Sequence, residues 1–359
     1  MSRILIPLLL LLSNAYVLLR IWQILPVGTA WKIAVLGVWL LCLCGVYAGF
    51  SNAWSRLPLP LGTAAYEISN TWMIVFLYAL IAFVLLDLGR LVRLVPADFL
   101  KASAEGSVAV FGVIAVVLLA GNIHYKHKYR EEIDIATPKL SAPVTVVLAS
   151  DLHVGYHNRR KELARWIDLI NAEQPDLVLL GGDIIDRDLG PVLAGDYAAE
   201  FRRLRAPVYA CPGNHEYYSG MSEAEQFLRD AGIHLLRDAQ ATCCGLRVIG
   251  RDDRTNSSRA PLERLAGSQP GAPYTLLLDH QPYHLEEAEA AGIDFQFSGH
   301  THRGQVWPVS WATDLMYEKA WGRHNRGGTQ YYVSSGLGIW GAKIRIGTRS
   351  EYLVLHLHP

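Results

Sequence analysis

Five short clusters of Asp, His and Asn recur in the second half of the chain. They are Asp151-Leu-His153, Gly182-Asp183, Gly213-Asn-His215, His280 within Asp279-His-Gln-Pro282, and Gly299-His-Thr-His302. Carboxylate oxygens, imidazole nitrogens and an amide oxygen are what divalent metals of hard to intermediate character bind. Two such ions about 3.5–4 Å apart can clamp the attacking and leaving oxygens of an in-line displacement at phosphorus. Asp-x-His and His-x-His spacings put both side chains on one side of an extended backbone. The glycines before Asp183, Asn214 and His300 let the backbone turn tightly beside the ions. Each cluster alone has a plainer reading: Gly-Gly-Asp starts a turn or caps a helix, Gly-Asn-His is a loop, and His-x-His a surface pair. Five of them at equivalent places in the chain argue for a common site.

Those places are the ends of strands. Short apolar runs at Val144–Ala149, Asp176–Leu180, Val208–Ala210, Tyr274–Leu278 and Asp294–Phe297 read as buried strands, and a cluster follows each. All five therefore project from one sheet edge, the carboxyl edge where open α/β sheets bind ligands. Helices are expected over Arg160–Glu173, with Leu163, Trp166, Ile167 and Ile170 on one face, over Asp196–Leu204, and over Ser222–Ala231. Ser222 and Glu225 have capping-box spacing. Further strands are expected at Leu246–Gly250, Gln330–Ser334 and Tyr352–His356. Strand–helix alternation followed by a strand-rich half predicts two packed sheets with helices outside.

The first third is built differently. Residues 1–125 hold seven Lys/Arg and four Asp/Glu, against 33 of each in the whole chain. Apolar segments run over Ile4–Leu25, Ile33–Phe50, Thr71–Gly89 and Val108–Ile123, each near the ~17–25 residues of a spanning helix. Trp22, Trp31, Trp54 and Trp72 lie near their ends as interfacial anchors. Arg3 before a Leu-rich run resembles a signal peptide, but no small-residue cleavage site follows, so the segment reads as a retained helix. Arg20 and Asp87 are expected to reach the interface from their span ends. Lys/Arg near the spans divide five against five between the two sides, so no orientation follows. The division is a transmembrane domain over 1–125, a charged linker over 126–142, and a catalytic domain over 143–359. Five cysteines without regular spacing form no disulfide framework. Zero net charge without a basic run gives no support for nucleic-acid binding.

From Val144 onward the ordered motifs resemble the calcineurin-like metallophosphoesterases. Ser298-Gly-His-Thr-His-Arg-Gly-Gln-Val306, Val333-Ser-Ser-Gly-Leu-Gly338 and Ile344-Arg-Ile-Gly347 resemble that family's membrane-attached bacterial branch. The resemblance implies a four-layer α/β/β/α two-sheet sandwich after a multi-span α-helical membrane domain. It also implies two divalent metals, Mn, Fe or Zn. Asp151, His153 and His302 would bind the first and Asn214, His280 and His300 the second, with Asp183 bridging. A hydroxide between the ions would attack the phosphorus of a mono- or diester, and His215 would hydrogen-bond the phosphate and protonate the leaving oxygen. The membrane segments point to a lipid-linked phosphate. A catalytically silent receptor or scaffold would show a broken ligand set, and a transporter would need a polar lining in the spans. Arg303 departs from the small residue of many relatives. His157, Tyr217, Tyr218, Arg303 and Trp340 are open between cleft and packing roles. Asp186 is read as a helix cap, Glu216 as either orienting a histidine or lying on the surface, and His124 and His324 as solvated.

Overall fold

The computed structural model describes residues 2–51, 53–267 and 272–359, with the side chains of residues 2–4 and 6 outside the description. The charge counted at Arg3 therefore lies outside the described side chains. The chain forms two compact units, Met1–Ile123 and His124–Pro359.

The first unit follows from its apolar runs. Helices α1 (Ser2–Ile24), α2 (Thr29–Phe50), α3 (Leu59–Leu91) and α4 (Ala104–Lys126) are each long and apolar enough to cross a membrane. At 1.5 Å a residue, α3 with 33 residues outruns the segment expected at Thr71–Gly89. Trp39, Trp72, Phe83, Val110 and Ile114 pack inside, and many large apolar side chains such as Trp31 and Leu41 face outward. Arg20 and Asp87 do not reach separately for an interface. They pair at 2.5 Å, and the Tyr16 hydroxyl also donates to Asp87, because two opposite charges near apolar surroundings cost less together than apart.

The second unit holds two six-stranded sheets. The first contains β1 (Lys128–Ala136), β2 (Val144–Ala149), β3 (Leu177–Leu180), β4 (Val208–Ala210) and β5 (His234–Leu235). The second contains β6 (Ala239–Cys243), β7 (Leu246–Gly250), β8 (Thr275–Leu278), β9 (Phe295–Ser298), β10 (Gly322–Arg326) and β11 (Thr329–Val333). Strand β12 (Ser350–His358) returns to the first sheet. The orders are β1-β12-β2-β3-β4-β5 and β10-β11-β9-β8-β7-β6. Strands β2 through β5 run parallel, as do β7, β8, β9 and β11.

The two-residue period of the strands builds the layers. Val146, Leu148, Leu177 and Leu179 meet Val248, Leu276, Leu278, Phe295 and Phe297 between the sheets. Val147, Ala149, Val178 and Leu180 face the other way, onto α5 (Arg160–Ala172), α7 (Tyr197–Phe201) and α9 (Met221–Asp230). The short α6 (Gly190–Ala194) precedes α7, and α8 (Asn214–Tyr218) precedes α9. Leu277 and Tyr331 pack with α10 (Leu262–Ala266) and α11 (Leu285–Ala290) on the far side of the second sheet. Helix α12 (Val309–Met316) follows.

Two expectations change. Residues 126–142 are not a plain linker, because Lys128–Ala136 pairs in parallel with Ser350–His358 along its whole length. Arg130, Glu132 and Asp134 occupy the outward positions of an edge strand, while Ile133 and Ile135 enter the core. Helix α9 begins at Met221 after Gly220, so Ser222 is not its cap.

Candidate metal centre

The clusters stand at the carboxyl ends of parallel strands, but not on one sheet as expected. Asp151 and His153 follow β2, Asp183 follows β3, and Asn214 and His215 follow β4. His280 follows β8 and His300 and His302 follow β9, in the second sheet. The site lies where the ends of both sheets converge.

The backbone beneath these side chains is not extended either. Asp151, His153, Asp183, His300 and His302 have φ between 43° and 70°. Left-handed conformations cost non-glycine residues about 1–3 kcal/mol each and persist only where surrounding bonds impose them. Those bonds are present. Asp151 N–H donates to Gly182 O at 3.0 Å and His153 N–H to Asp183 O at 3.0 Å. His300 N–H donates to the Asp151 carboxylate at 3.0 Å.

Glu216 holds the loop from beneath. It is buried, and its carboxylate accepts from the N–H groups of Gly213, Asp183, Ile184 and Ile185 at 2.7–3.0 Å. Burial, then the Asp183 charge, pushes this carboxyl up, against four donors that favour its ionised form. Its partner is therefore the backbone, neither a histidine nor solvent. Gly182 takes φ +86°, and a Cβ there would come 2.6 Å from His280 Nδ1; at Gly213 a Cβ would lie 2.2 Å from Asp183 Oδ1. The first glycine serves conformation and space, the second space alone.

The structure brings all eight predicted residues together. Asp151, His153 and His302 offer ligand atoms within 4.8 Å of one another, as do Asp183, His280 and His300. In the first group, His153 Nε2 and His302 Nε2 approach to 3.1 Å, and His302 Nε2 lies 3.4 Å from Asp151 Oδ1. In the second, His300 Nδ1 is 2.9 Å from Asn214 Oδ1. Asp183 Oδ2 joins the groups, 3.1 Å from His280 Nε2 and 3.7 Å from His153 Nε2.

The donor set fits a cation on its own terms. His280 Nδ1 donates to Gly181 O at 2.7 Å, which turns its buried Nε2 toward Asp183 Oδ2, 3.1 Å away, between the two groups of donors. Burial, then the nearby His280 charge, drives His300 down to about 4, and burial, then His153, drives His302 well below its usual value. Both rings are neutral at neutral pH, the form in which an imidazole could bind a cation. Mixed carboxylate, imidazole and amide donors suit Mn, Fe or Zn.

Two buried residues stand behind the clusters. Asp186, read as a helix cap, instead lies with His215 Nδ1 3.2 Å and His153 Nδ1 3.6 Å from its Oδ1. Burial works to raise its carboxyl, but the nearby His153 and His215 imidazoles hold it below the usual range. The other was missed as a site residue. Arg345 is fully buried, and its Nη1 donates to His302 O at 2.8 Å while Nη2 donates to Ser335 O and Gly338 O. The signal for it was a cation between two isoleucines, Ile344-Arg-Ile346, where only a fully partnered guanidinium can be buried.

The looser candidates divide. The Tyr218 ring is 5.1 Å from that of His215 and is exposed. His157 is buried against Ile339 O at 2.6 Å, and Tyr217 donates to Asp252 away from the clusters. The Arg303 guanidinium lies 4.2 Å from the Trp321 ring, and Trp340 is half-buried. His124 is not simply solvated, since its Nε2 meets Thr348 O at 3.0 Å; His324 pairs with Glu318.

Residues 144–304 match the model of the calcineurin-like phosphoesterase family. A Campylobacter jejuni metallophosphoesterase is 30% identical over 256 residues, covering 68% of each chain. This chain belongs to the calcineurin-like metallophosphoesterases. An uncharacterized metallophosphoesterase of Helicobacter pylori is 31% identical over 237 residues, and the match spans 64% of each chain. A Danio rerio transmembrane protein with metallophosphoesterase domain is 28% identical over 305 residues, covering 76% of this chain and 70% of its own. That coverage exceeds what His124–Pro359 alone would supply, so the likeness extends beyond the metallophosphoesterase unit.

Proposed function

We propose that the protein is a membrane-anchored, dinuclear metal-dependent hydrolase of a phosphate mono- or diester. The observation that carries this reading is Asp183, whose Oδ2 faces one histidine of each donor group, His280 at 3.1 Å and His153 at 3.7 Å. Asp151, His153 and His302 would hold one ion, Asn214, His280 and His300 the other, and Asp183 both. Bound divalent ions supply Lewis acidity toward phosphoryl oxygens and lower the pKa of water.

The chain's own residues do the rest. Asp183 Oδ1 accepts from His215 N–H at 2.9 Å, which fixes the carboxylate for contact through Oδ2. His215 Nδ1 is engaged by Asp186, so Nε2 is the atom that faces the phosphate and protonates the leaving oxygen. Asp183 and Asp186 raise the His215 pKa although burial opposes them, which keeps that proton available near neutral pH. Four helices able to span a bilayer support a phosphate ester carried by a lipid.

The test is Asp183→Asn in the full chain, purified in detergent with metal analysis. Losing a partner of a metal ligand costs about 10–100-fold, and losing the shared ligand should exceed that. Hydrolysis of aryl phosphate mono- and diesters should fall at least ~100-fold, with metal content reduced. Full activity with full metal content would reject the mechanism. A panel of phospholipids and nucleotide-linked lipids then tests the substrate class.

A further inference from the structure

Helix α12 has its polarity reversed. At about 100° a residue, Trp311, Leu315, Ala312, Met316 and Val309 fill an arc of about 160°, and Ser310, Thr313 and Asp314 fill the remainder. The helices of a water-soluble domain turn the apolar arc to the core. Here Ser310 is buried and Thr313 half-buried, while Leu315 is 88% exposed, Met316 65% and Trp311 61%. Among the described residues of His124–Pro359, eight large apolar side chains are exposed, and five lie in the stretch from Trp307 to Met316. Single exposed residues need no explanation, but a contiguous group does.

The helix is fixed to the metal centre. It follows the turn His302–Gly304, and a Cβ on Gly304 would come 2.6 Å from Ser310 N and Val309 C. Trp307 N–H donates to Ile346 O at 2.7 Å, and Thr301 Oγ1 donates to Ala320 O at 2.7 Å. The apolar arc thus rides on the segment that supplies His300 and His302.

We propose that α12 and Trp307 form a lipid-bilayer contact of the catalytic unit, holding the His300–His302 edge of the cleft at the membrane surface. A bilayer is the occupant favoured here for three reasons. Four helices of the same chain are long and apolar enough to span one, so lipid is within reach of every copy. Trp307 and Trp311, with ring centroids 5.4 Å apart, are the side chains that settle at headgroup level. The one charged residue of the helix, Asp314, lies on its polar arc and leaves the apolar arc free of charge, as in interfacial helices that lie about 5–10 Å into the headgroup boundary. Eight residues are too few to span, so the helix lies flat. The inference uses α12 and the membrane helices, and it stands or falls apart from the hydrolase reading.

The experiment places a diazirine amino acid at Leu315, at Met316, or at Ser222 on α9 as an exposed control. The full chain is held in nanodiscs of phosphatidylcholine and phosphatidylglycerol, irradiated and read by mass spectrometry. Phospholipid adducts are expected at 315 and 316 and absent at 222. Water adducts alone at 315 and 316 would overturn the proposal. Adducts to protein there would overturn it in favour of a second copy or another protein partner. Metal content and aryl phosphate hydrolysis, measured on the same samples, report separately on the metal centre.

Discussion

Glu216→Gln offers the most direct measure of what holds the metal centre in shape. The substitution keeps the volume but turns one oxygen into an NH₂ group. Each Glu216 oxygen accepts two backbone N–H groups, Oε1 those of Ile184 and Ile185 and Oε2 those of Gly213 and Asp183. Whichever end carries the NH₂, two buried N–H groups lose their acceptor and face a donor. A buried donor left unmatched costs about 1–3 kcal/mol, so the pair costs about 2–6 kcal/mol. Asp183 is itself in the left-handed region at φ 51°, and Glu216 is the acceptor that takes the N–H groups of Asp183, Ile184 and Ile185 together. Hydrogen exchange of a peptide covering 181–187, followed by mass spectrometry in the full chain, reads the loss locally. At ~1.4 kcal/mol a decade, opening should become at least about 30-fold more frequent. Metal retention should fall with it, since Asp183 faces both donor groups. Unchanged exchange at 183–185 together with unchanged metal content would refute the account of Glu216 as the clamp of this loop.

Other residues give narrower tests. Arg345→Lys keeps the charge but cannot reach His302 O, Ser335 O and Gly338 O at once; metal affinity by chelator competition should drop about 10–100-fold. Asp252 is held below the usual carboxyl range by Asn256, Tyr217 and Arg237 although burial works to raise it. Its contribution is therefore present above the ordinary Asp pKa of about 3.9 and lost as pH falls through the lower folded-state value. Asp252→Asn should lower thermal stability at pH 7, and the gap from the parent protein should narrow toward pH 3.

How much of this was legible in sequence depended on period and on neighbours. Strands β2, β4 and β7 match the apolar runs residue for residue, because a strand buried on both faces needs no partner to announce itself. Strand β1 was hidden because its outward residues are charged and only Ile133 and Ile135 mark the core side; the alternation was there in Ile133-Asp134-Ile135. The eight clustered residues were found from residue type and place after strands. Their left-handed backbone was not, because it is imposed by bonds such as Asp151 N–H to Gly182 O between segments far apart in sequence. Asp186 and Arg345 act through three-dimensional neighbours, which no local pattern displays. The exposed arc of α12 went unread for the opposite reason, since an amphipathic pattern says which residues share a face but not which face is inside.

The strand order β1-β12-β2 has a consequence for synthesis. The slot between β1 and β2 is filled by Ser350–His358, more than 200 residues downstream of both. Until that segment leaves the ribosome, β1 has no partner and β2 presents an open edge, the kind of edge that pairs with other chains. The first sheet must therefore wait, with β2, β3 and β4 already made and the loops of the metal centre unset. A nascent chain halted before Ser350 would carry every predicted metal ligand and still lack the strand that closes the sheet.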